Sequence, residues 1–378
     1  MNQKSSNQKM VIMHVTPRLE SGGAETALTN LILYSKTKHQ LGAGPTKHMV
    51  ITMLDKDGPN RRKLESAGIE IIPLNLKHPL KLLTTLYNCL RYCRNLKPTH
   101  IVGWLYYGNI LASLISLTLI LLGQRKHLTF HNIRNSGIKR RQYRLSLWIS
   151  LQLNMVFSHL VHLTIYNSQA GLKSHNAQGY SKTRAFVIHN GVNTDFFCPN
   201  WDERLKTRKK LGVGTSDKIV LIVGRNDPQK DYPSIIELSK INSDIVFVAV
   251  GEGVTNLHGE KNFRTFPETD DIRSFYRMAD FILSGSKFGE GFQNSVAEGM
   301  SCELVPIYTI AGDIQILTGG NGFEARGTEL ICLQTALQEA LQLSDSDRAK
   351  WGVAARNHIT QNFRMETCHD RFISCLSE

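Results

Sequence analysis

The chain has 378 residues, of which 41% are hydrophobic and 20% charged, so it has room for two domains and is neither disordered nor fibrous. Its seven cysteines include no CxxC pair, which argues against disulfides and a zinc site. Its first ten residues lack an apolar segment, which argues against a secretory signal. Together these features predict a reduced, cytoplasmic protein. Residues 1–200 carry 25 basic and 7 acidic residues (net +18), whereas residues 201–378 carry 20 and 25 (net −5), so the first half either suits an anionic partner or is an unusually basic solvated surface.

Short apolar segments recur along the first half of the chain, and helical stretches separate them. This alternation predicts a parallel, doubly wound sheet. The predicted strands are Val11–Val15, Met49–Met53, Ile69–Leu74, His100–Trp104, Leu128–Phe130 and Leu163–Asn167.

The second half repeats this alternation after a stretch rich in turn formers, Asn190–Asn200, which marks the break between two domains. Its predicted strands are Lys218–Val223, Ile245–Val250, Phe263–Phe266 and Phe281–Ser284, and its predicted helices are Tyr232–Leu238, Ile272–Met278 and Asn294–Ser301. The fold class is therefore α/β, with two Rossmann-like domains in tandem. The last stretch, Asp345–Ser377, is helical and lies outside the regular winding of the second sheet.

Two long uncharged runs, within Trp104–Gly123 and Leu145–Leu172, raise the question of a membrane span. A spanning helix needs about 20 predominantly apolar residues. Both runs are interrupted by polar side chains, and both occur where a sheet needs covering. We expect buried helices.

Two cations follow the first strand of the second half directly, in the segment Gly224–Lys230. Arg225 and Lys230 should therefore emerge at the carboxyl edge of the sheet, which is where open α/β sheets bind ligands. An Arg fork and a Lys point charge suit a diphosphate. The segment Val250–Gly253 also ends a strand, and its glycines would let a nucleotide approach the backbone.

The strongest local signal is Gly289–Met300, read as GEGFQNSVAEGM. Its glycines make a tight turn and Asn294 can open a helix, whose first N–H groups and positive dipole end favour an anion. Glu290 and Glu298 are not placed to bind a phosphate, so recognition of sugar and ribose hydroxyls is their natural use. The alternative is a capped helix with two solvated glutamates.

Several motifs occur in the order GGAE (Gly22–Glu25), HN (His131 and Asn132), HNGVNTDFF (His189–Phe197), GRNDPQK, GEG and an E-x7-E stretch. With this order the chain resembles the retaining nucleotide-sugar glycosyltransferases of the GT-B fold, and family 4 is the nearest match. The stretches EGFQN, VAEGM and AGD further resemble bacterial enzymes that build surface polysaccharides. The resemblance extends from about Val11 to Phe363.

The resemblance implies two Rossmann-like domains that face each other across a central cleft, residues 1–192 on the acceptor side and 193–360 on the nucleotide-sugar side. A final helix, residues 361–378, would cross back onto the first domain. The implied donor is a nucleotide-diphosphate sugar, with a UDP-sugar favoured over GDP-mannose, and no cofactor is implied. The implied acceptor is a saccharide or a lipid-linked saccharide.

The resemblance also implies roles for individual residues. Glu290 and His131 would be catalytic, with Glu290 facing the donor sugar and His131 contacting it. The implied diphosphate-binding residues are Arg225, Lys230, Gly22, Gly23, Gln293, Asn294 and Ser295. The implied ribose- and nucleoside-binding residues are Glu298, Gly251, Gly253 and Pro267.

The sequence departs from the family pattern near the nucleotide site. Glu303 and Val305 stand where the family has a Gly-x-Pro step, and Pro267 stands where a Gly is common. Gly299 replaces a common Ala, which should cost its helix up to about 1 kcal/mol. These departures bear on the base and ribose contacts rather than on the diphosphate contacts.

The mechanism is predicted to be retaining and independent of metal. No DxD motif flanked by apolar residues occurs, so Arg225, Lys230 and the helix start at Asn294 should stabilise the leaving diphosphate. An inverting enzyme would need a general base on the acceptor side. No carboxylate of the first half follows a strand into the central cleft, and His131 is the only obvious candidate at a carboxyl edge there, with the alternative of a hydrogen-bonded edge histidine.

Two other classes compete with this prediction. A nucleotide-sugar 2-epimerase of GT-B-like fold would need several carboxylates and histidines from the first domain, which is nearly free of carboxylates. A basic protein that binds nucleic acid or another anion without catalysis would use the charge of the first half. Aromatic residues are not interspersed among these basic residues as they are in many nucleic-acid-binding surfaces, so no nucleic acid is expected as a partner.

The positive charge also predicts where the protein works. Residues 71–194 contain fifteen Lys or Arg and no Asp or Glu. Each cation near an anionic leaflet contributes about 1 kcal/mol, so we expect a peripheral protein on the inner face of the cytoplasmic membrane. The expected contacts with the acceptor or the membrane surface are Lys139, Arg140, Arg141 and Arg144. The alternatives are a soluble phosphorylated acceptor or a merely solubilising charge.

Overall fold

The computed structural model describes residues 10–40, 46–76, 82–136 and 145–377. The chain divides into two compact units: Met1–His189 with Cys368–Glu378, and Asn190–Thr367. The expected domain boundaries, after residues 192 and 360, remain predictions.

The first unit contains a seven-stranded sheet. Its strands are β1 (Met10–Thr16), β2 (Thr46–Thr52), β3 (Glu70–Pro73), β4 (His100–Trp104), β5 (Leu128–Ile133), β6 (Leu163–Tyr166) and β7 (Ala185–Val187). They pair in parallel in the order β3-β2-β1-β4-β5-β6-β7. Helices cover both faces of such a sheet, so its central strands are buried on both sides, as the uninterrupted burial of β4 shows. The sequence did not predict β7.

Six helices follow these strands in turn: α1 (Gly23–Gln40), α2 (Pro59–Ser66), α3 (Leu82–Leu96), α4 (Leu105–Leu121), α5 (Leu145–Ser158) and α6 (Gln169–Asn176). The first apolar run is α4, whose buried face includes Leu111, Ile115 and Leu119. The second run forms α5 and then β6. No helix within the described ranges is both long and apolar enough to cross a membrane.

The expectation of a buried helix is met by only one face of α5. Its buried side chains are Ser150, Leu151, Asn154 and Ser158, three of them polar. Aliphatic residues on its other face, among them Leu153, are exposed. The helix therefore buries three polar side chains together with Leu151, packs Leu147 and Met155 against the core, and exposes a second, aliphatic stripe.

The second unit contains a six-stranded parallel sheet. Its strands are β8 (Ile219–Val223), β9 (Val246–Val250), β10 (Phe263–Phe266), β11 (Phe281–Ser284), β12 (Val305–Thr309) and β13 (Phe323–Ala325), in the order β10-β9-β8-β11-β12-β13. The sequence did not predict β12 and β13. Its apolar core lies on both faces of the sheet, with Leu221 and Val248 on one side and Val220 and Phe247 on the other.

The remaining helices are α7 (Trp201–Lys210), α8 (Tyr232–Ile241), α9 (Ile272–Met278), α10 (Asn294–Ser301), α11 (Ile314–Thr318), α12 (Leu330–Leu341), α13 (Asp345–Asn362) and α14 (Met365–Ser377). Most of α14 belongs to the first unit, where Phe372 and Leu376 join the core. The predicted α/β class with two Rossmann-like units is confirmed by the two sheets.

Candidate active site

The carboxyl ends of β8 and β11 define the candidate site in the second unit. These strands are neighbours in the sheet, although β9 and β10 lie between them in the chain. The winding direction therefore reverses between β8 and β11, and loops that leave such a reversal in opposite directions open a crevice for a ligand. The segment Gly224–Lys230 follows β8, and residues 285–293 follow β11.

Lys230 and Glu290 meet in this crevice. The Lys230 Nζ donates to Glu290 Oε1 at 2.6 Å, and the Ser286 hydroxyl donates to the same oxygen at 2.9 Å. The Glu290 side chain is 11% exposed and that of Lys230 is 22% exposed, so the pair is only partly solvated. Two donors on one oxygen fix the position of this carboxylate. Sequence reasoning did not identify Ser286, although its hydroxyl, close to the end of a strand, was the available signal.

Arg225 lies at the same edge but is held loosely. Its Nε is 3.6 Å from Asp227 Oδ2, and half of its side chain is exposed. Asp227 also accepts a hydrogen bond from the Gln229 backbone N–H at 3.0 Å, which begins the short turn that carries Lys230. The guanidinium is therefore available to an anionic ligand.

Helix α10 begins beside this pair without a side-chain cap. Gln293 occupies the N-cap position, but its side chain is used elsewhere. It accepts a hydrogen bond from the Ser284 hydroxyl at 2.5 Å and donates to the Ala311 carbonyl at 3.2 Å. Asn294 Oδ1 accepts from Asn190 Nδ2 at 2.7 Å, while Ser295 is partly exposed. An uncapped helix start favours an anion through its dipole.

Two glycines let the loops around the crevice pack backbone against backbone. At Gly251 (φ +156°) a Cβ would lie 2.2 Å from the Gly224 carbonyl oxygen, and at Gly312 (φ +64°) it would lie 2.4 Å from the Gly291 carbonyl oxygen. A side chain at either position would displace the loops that carry Arg225 and Glu290. Gly253 is also left-handed, with φ +69°.

Glu298 lies one helical turn along α10, away from the loop that carries Glu290. It accepts a hydrogen bond from the Tyr276 hydroxyl at 2.8 Å, and the tyrosine is fully buried. Burial and the neighbouring carboxylate both raise the pKa of Tyr276, so it remains a donor. Pro267 is exposed and directly follows β10, on the same edge of the sheet.

The departures from the family pattern have local structural accounts. Glu303 has φ +67°, the conformation that glycine favours, so the backbone turn persists without the glycine. A Cβ on Gly299 would lie 3.1 Å from the Cβ of Ile282, so the glycine fits the branched side chain on β11.

In the first unit, Gly22 and Gly23 mark the start of α1. The buried Glu25 carboxylate lies against Gly22, where a Cβ would come within 2.3 Å of Glu25 Oε2. Its other oxygen is 3.5 Å from Arg18 Nε. This helix start therefore already has an acidic side chain beside it.

His131 is fully buried on β5. Its Nε2 is 2.7 Å from the Ser113 hydroxyl of α4. Burial lowers the pKa of His131 from 6.5 to about 3, so the imidazole is neutral at physiological pH. It can share a hydrogen bond but cannot supply a proton as an imidazolium.

Lys139, Arg140, Arg141 and Arg144, the expected contacts with the acceptor or membrane, lie outside the described residues. Within the described ranges, no group of three or more His, Cys, Asp or Glu side chains is arranged to hold a metal ion.

The two-sheet architecture and a match to a protein-family model together indicate the class of protein that this chain resembles. Residues 203–357 match the family model of glycosyl transferases group 1. With two Rossmann-like sheets and similar solved structures, this match confirms the resemblance to GT-B glycosyltransferases. Placement in family 4 stays a prediction.

Individual relatives are distant in sequence. The uncharacterized glycosyltransferase MJ1607 of Methanocaldococcus jannaschii is 27% identical over 148 residues, which is 35% of this chain and 38% of that protein. Anabaena HepE, solved in complex with UDP-glucose, gives a TM-score of 0.80 at 19% identity and covers 97% of this chain and 99% of its own. WaaG, a glycosyltransferase involved in lipopolysaccharide biosynthesis, gives 0.69 at 14% identity and covers 96% of this chain and 99% of its own.

Proposed function

We propose that this protein is a glycosyltransferase that moves a sugar from a nucleotide-diphosphate donor, preferably a UDP-sugar, to a saccharide acceptor. The observation that carries the proposal is the juxtaposition of Arg225, the Lys230–Glu290 pair and the uncapped start of α10 at the winding reversal of the second sheet. The UDP-glucose complex of HepE and the role of WaaG in lipopolysaccharide synthesis support the donor class and the type of acceptor.

The diphosphate is assigned to the cations and the helix start. Lys230 has three N–H donors and donates one hydrogen bond to Glu290 in the structure, so it can also bind a phosphate oxygen. Arg225 adds a fork of donors, and Gln293, Asn294 and Ser295 contribute the positive end of α10. Gly22 and Gly23 of the first unit are assigned to the diphosphate on the resemblance alone.

The carboxylates are assigned to hydroxyl groups of the donor. Glu298, oriented by Tyr276, would hold the ribose, with Gly251, Gly253 and Pro267 next to the nucleoside. Glu290, held by Ser286 and Lys230, would face the sugar, where positive charge develops as the bond to the diphosphate breaks.

We further propose retention of configuration without a metal. Arg225, Lys230 and the helix dipole supply the positive charge that a departing diphosphate needs. The departing diphosphate itself would assist removal of the acceptor proton. His131 is assigned to the sugar on the resemblance alone, since its ring is fully buried and its Nε2 already meets Ser113.

The enzyme is proposed to be of the family 4 type, and its acceptor is proposed to be a lipid-linked or cell-surface polysaccharide precursor. The excess of cations in residues 71–194 supports a site of action at the inner face of the cytoplasmic membrane. Lys139, Arg140, Arg141 and Arg144 are the proposed contacts. In this location the protein would meet an acceptor that is itself held in the leaflet.

The diphosphate assignment is tested by isothermal titration with UDP. Arg225→Ala and Lys230→Ala should each weaken binding about 10- to 150-fold, because hydrogen bonds to charged groups contribute about 1.5–3 kcal/mol. Lys261→Ala is the matched control, since this exposed lysine precedes β10 at the opposite edge of the sheet. Affinity for UDP equal to wild type in both variants, with the fold intact by circular dichroism, contradicts the assignment.

A further inference from the structure

Helix α5 carries an exposed aliphatic stripe in addition to the apolar residues that it packs against the core. The side chains on its exposed face are aliphatic: Leu145 is 65% exposed, Ile149 46%, Leu153 43% and Val156 53%. Leu160, just beyond the helix, is 63% exposed. A surface helix normally turns such a stripe towards the core. Contiguous exposed apolar surface of this kind marks an interaction site.

Hydrogen bonds hold α5 in this orientation. Asn154 Nδ2 donates to the Tyr106 carbonyl at 2.9 Å, and the Ser181 backbone N–H donates to the Ser158 hydroxyl at 3.0 Å. Rotation of the helix to bury the exposed stripe would leave the Tyr106 carbonyl and the Ser181 N–H without these partners in the interior, which is costly. The hydrogen bonds of the buried polar residues therefore keep the aliphatic stripe exposed.

The stripe continues onto the end of α4. Leu121 is 85% exposed, Leu122 48% and Leu117 39%. Between the ends of α4 and α5 lies a groove of about 440 Å³, whose apolar lining includes Leu117, Ile120, Phe157 and Leu160. These residues form one surface, here called the α4–α5 face.

Cations border the α4–α5 face. Arg125 and Lys126 lie within three residues before β5, and Lys182 and Arg184 lie within three residues before β7; all four are exposed. Because the strands are parallel, residues that precede them lie at the same amino-terminal edge of the sheet, where α4 and α5 also end. Arg184 lines the groove, with its Nη1 donating to the His159 and Val161 carbonyls at 3.1 Å.

We infer that the α4–α5 face docks on an anionic lipid bilayer, with its leucines inserted below the headgroups and its cations among them. Aliphatic side chains beside Lys and Arg are the pattern of helices that lie in a membrane interface. A second copy of this chain is disfavoured as the occupant, because symmetric pairing would bring these cations together, with no Asp or Glu in residues 71–194 to offset them. The inference rests on the membrane location in the proposed function and adds an inserted, apolar contact to it.

The test is co-sedimentation of the full chain with vesicles of phosphatidylcholine, with and without 30% phosphatidylglycerol, at low and high salt. Electrostatic contacts weaken with salt, whereas insertion of apolar side chains does not. Wild type should bind the anionic vesicles and keep part of that binding at 0.5 M salt. Leu121→Ser with Leu160→Ser should lose the salt-resistant part, by about tenfold or more per leucine.

Matched controls separate this face from general effects. Ile241→Ser with Ile331→Ser removes two comparably exposed residues from the second unit and should bind like wild type. Arg125→Gln with Lys126→Gln should weaken binding about 25-fold at low salt, whereas Lys209→Gln with Lys210→Gln, an exposed pair on α7, should not. A Leu121→Trp variant should also gain a blue-shifted emission on vesicles.

Three results would overturn the inference. One is salt-resistant binding that survives the double leucine substitution. Another is a wild-type dimer in light scattering that the same substitution dissociates, which would assign the face to a second copy. The third is no binding to anionic vesicles at all. Titration with UDP, measured in solution without vesicles, tests the proposed donor site separately, so failure of one leaves the other standing.

Discussion

Acidification should unfold the first unit before the second, because the first unit buries neutral histidines. Burial lowers the pKa of His48 and of His175 from 6.5 to about 4, and that of His131 from 6.5 to about 3. Each is in the interior: His175 Nδ1 is 2.7 Å from the Gly171 carbonyl, and His48 Nε2 is 2.8 Å from the Ser35 hydroxyl. Every described histidine whose pKa burial lowers belongs to the first unit.

The size of the effect follows from proton linkage. Below pH 6.5 the unfolded chain binds a proton at each of these sites that the folded unit does not, so stability is complete above this pH and falls as the pH drops towards the folded pKa. At pH 5.5, a site shifted from 6.5 to about 4 loses about 1.4 kcal/mol. Three such sites lose about 4 kcal/mol, a large part of the 5–15 kcal/mol that stabilises a typical domain.

Hydrogen exchange read by mass spectrometry, corrected for intrinsic rates, would measure this loss unit by unit. Between pH 7.5 and 5.5 the peptides that cover β4 and β5 should lose protection, while those that cover β8 and β11 keep theirs. His175→Phe removes one titrating site, so it should reduce the slope of stability against pH by up to about 1.4 kcal/mol per pH unit, even if it also lowers stability at pH 7.5.

The matched control is His258→Phe, which replaces an exposed histidine of the second unit and should leave the loss of protection in the first unit unchanged. Equal loss of protection in both units, or a slope that His175→Phe does not alter, would refute the reasoning. Equal loss would indicate unfolding as one cooperative unit, and an unaltered slope would indicate that His175 is already protonated in the fold.

Most strands could be predicted because buried parallel strands are continuous apolar runs bounded by turn residues. His100–Trp104 and Phe281–Ser284 are strands with the predicted bounds. Strand β12 was missed because it contains Pro306, which lacks the N–H that an interior strand uses, and yet it pairs with a neighbour on both sides. The three-residue strand β7 is too short for its period to be recognised.

The candidate site was predictable where chemistry follows a strand end and unpredictable where it depends on packing. Arg225 and Glu290 follow β8 and β11, so a parallel sheet brings them to one edge. The bond from Tyr276 to Glu298 joins residues 22 positions apart, and no local pattern encodes it. The orientation of α5 likewise depends on partners distant in sequence, such as the Tyr106 carbonyl, which accepts a hydrogen bond from Asn154.

Three further predictions follow from single features of the second unit. Glu290→Gln should lower kcat far more than affinity for the donor, since its carboxylate acts where charge develops; steady-state kinetics with an unchanged kcat would return Glu290 to a structural role. Activity should survive EDTA, because side chains and the α10 dipole supply the positive charge; complete loss that magnesium or manganese restores would contradict this. Glu303→Gly should raise the free energy of unfolding by about 1 kcal/mol. The left-handed conformation costs a residue with a Cβ about 1–2 kcal/mol, and glycine avoids this cost. Part of the gain is offset because glycine has more conformational freedom in the unfolded chain. Glu303→Ala is the control, since alanine removes the same carboxylate but keeps the Cβ; if urea titration finds the two variants equally stable, the backbone conformation carries no such cost and Glu303 is accommodated by its surroundings.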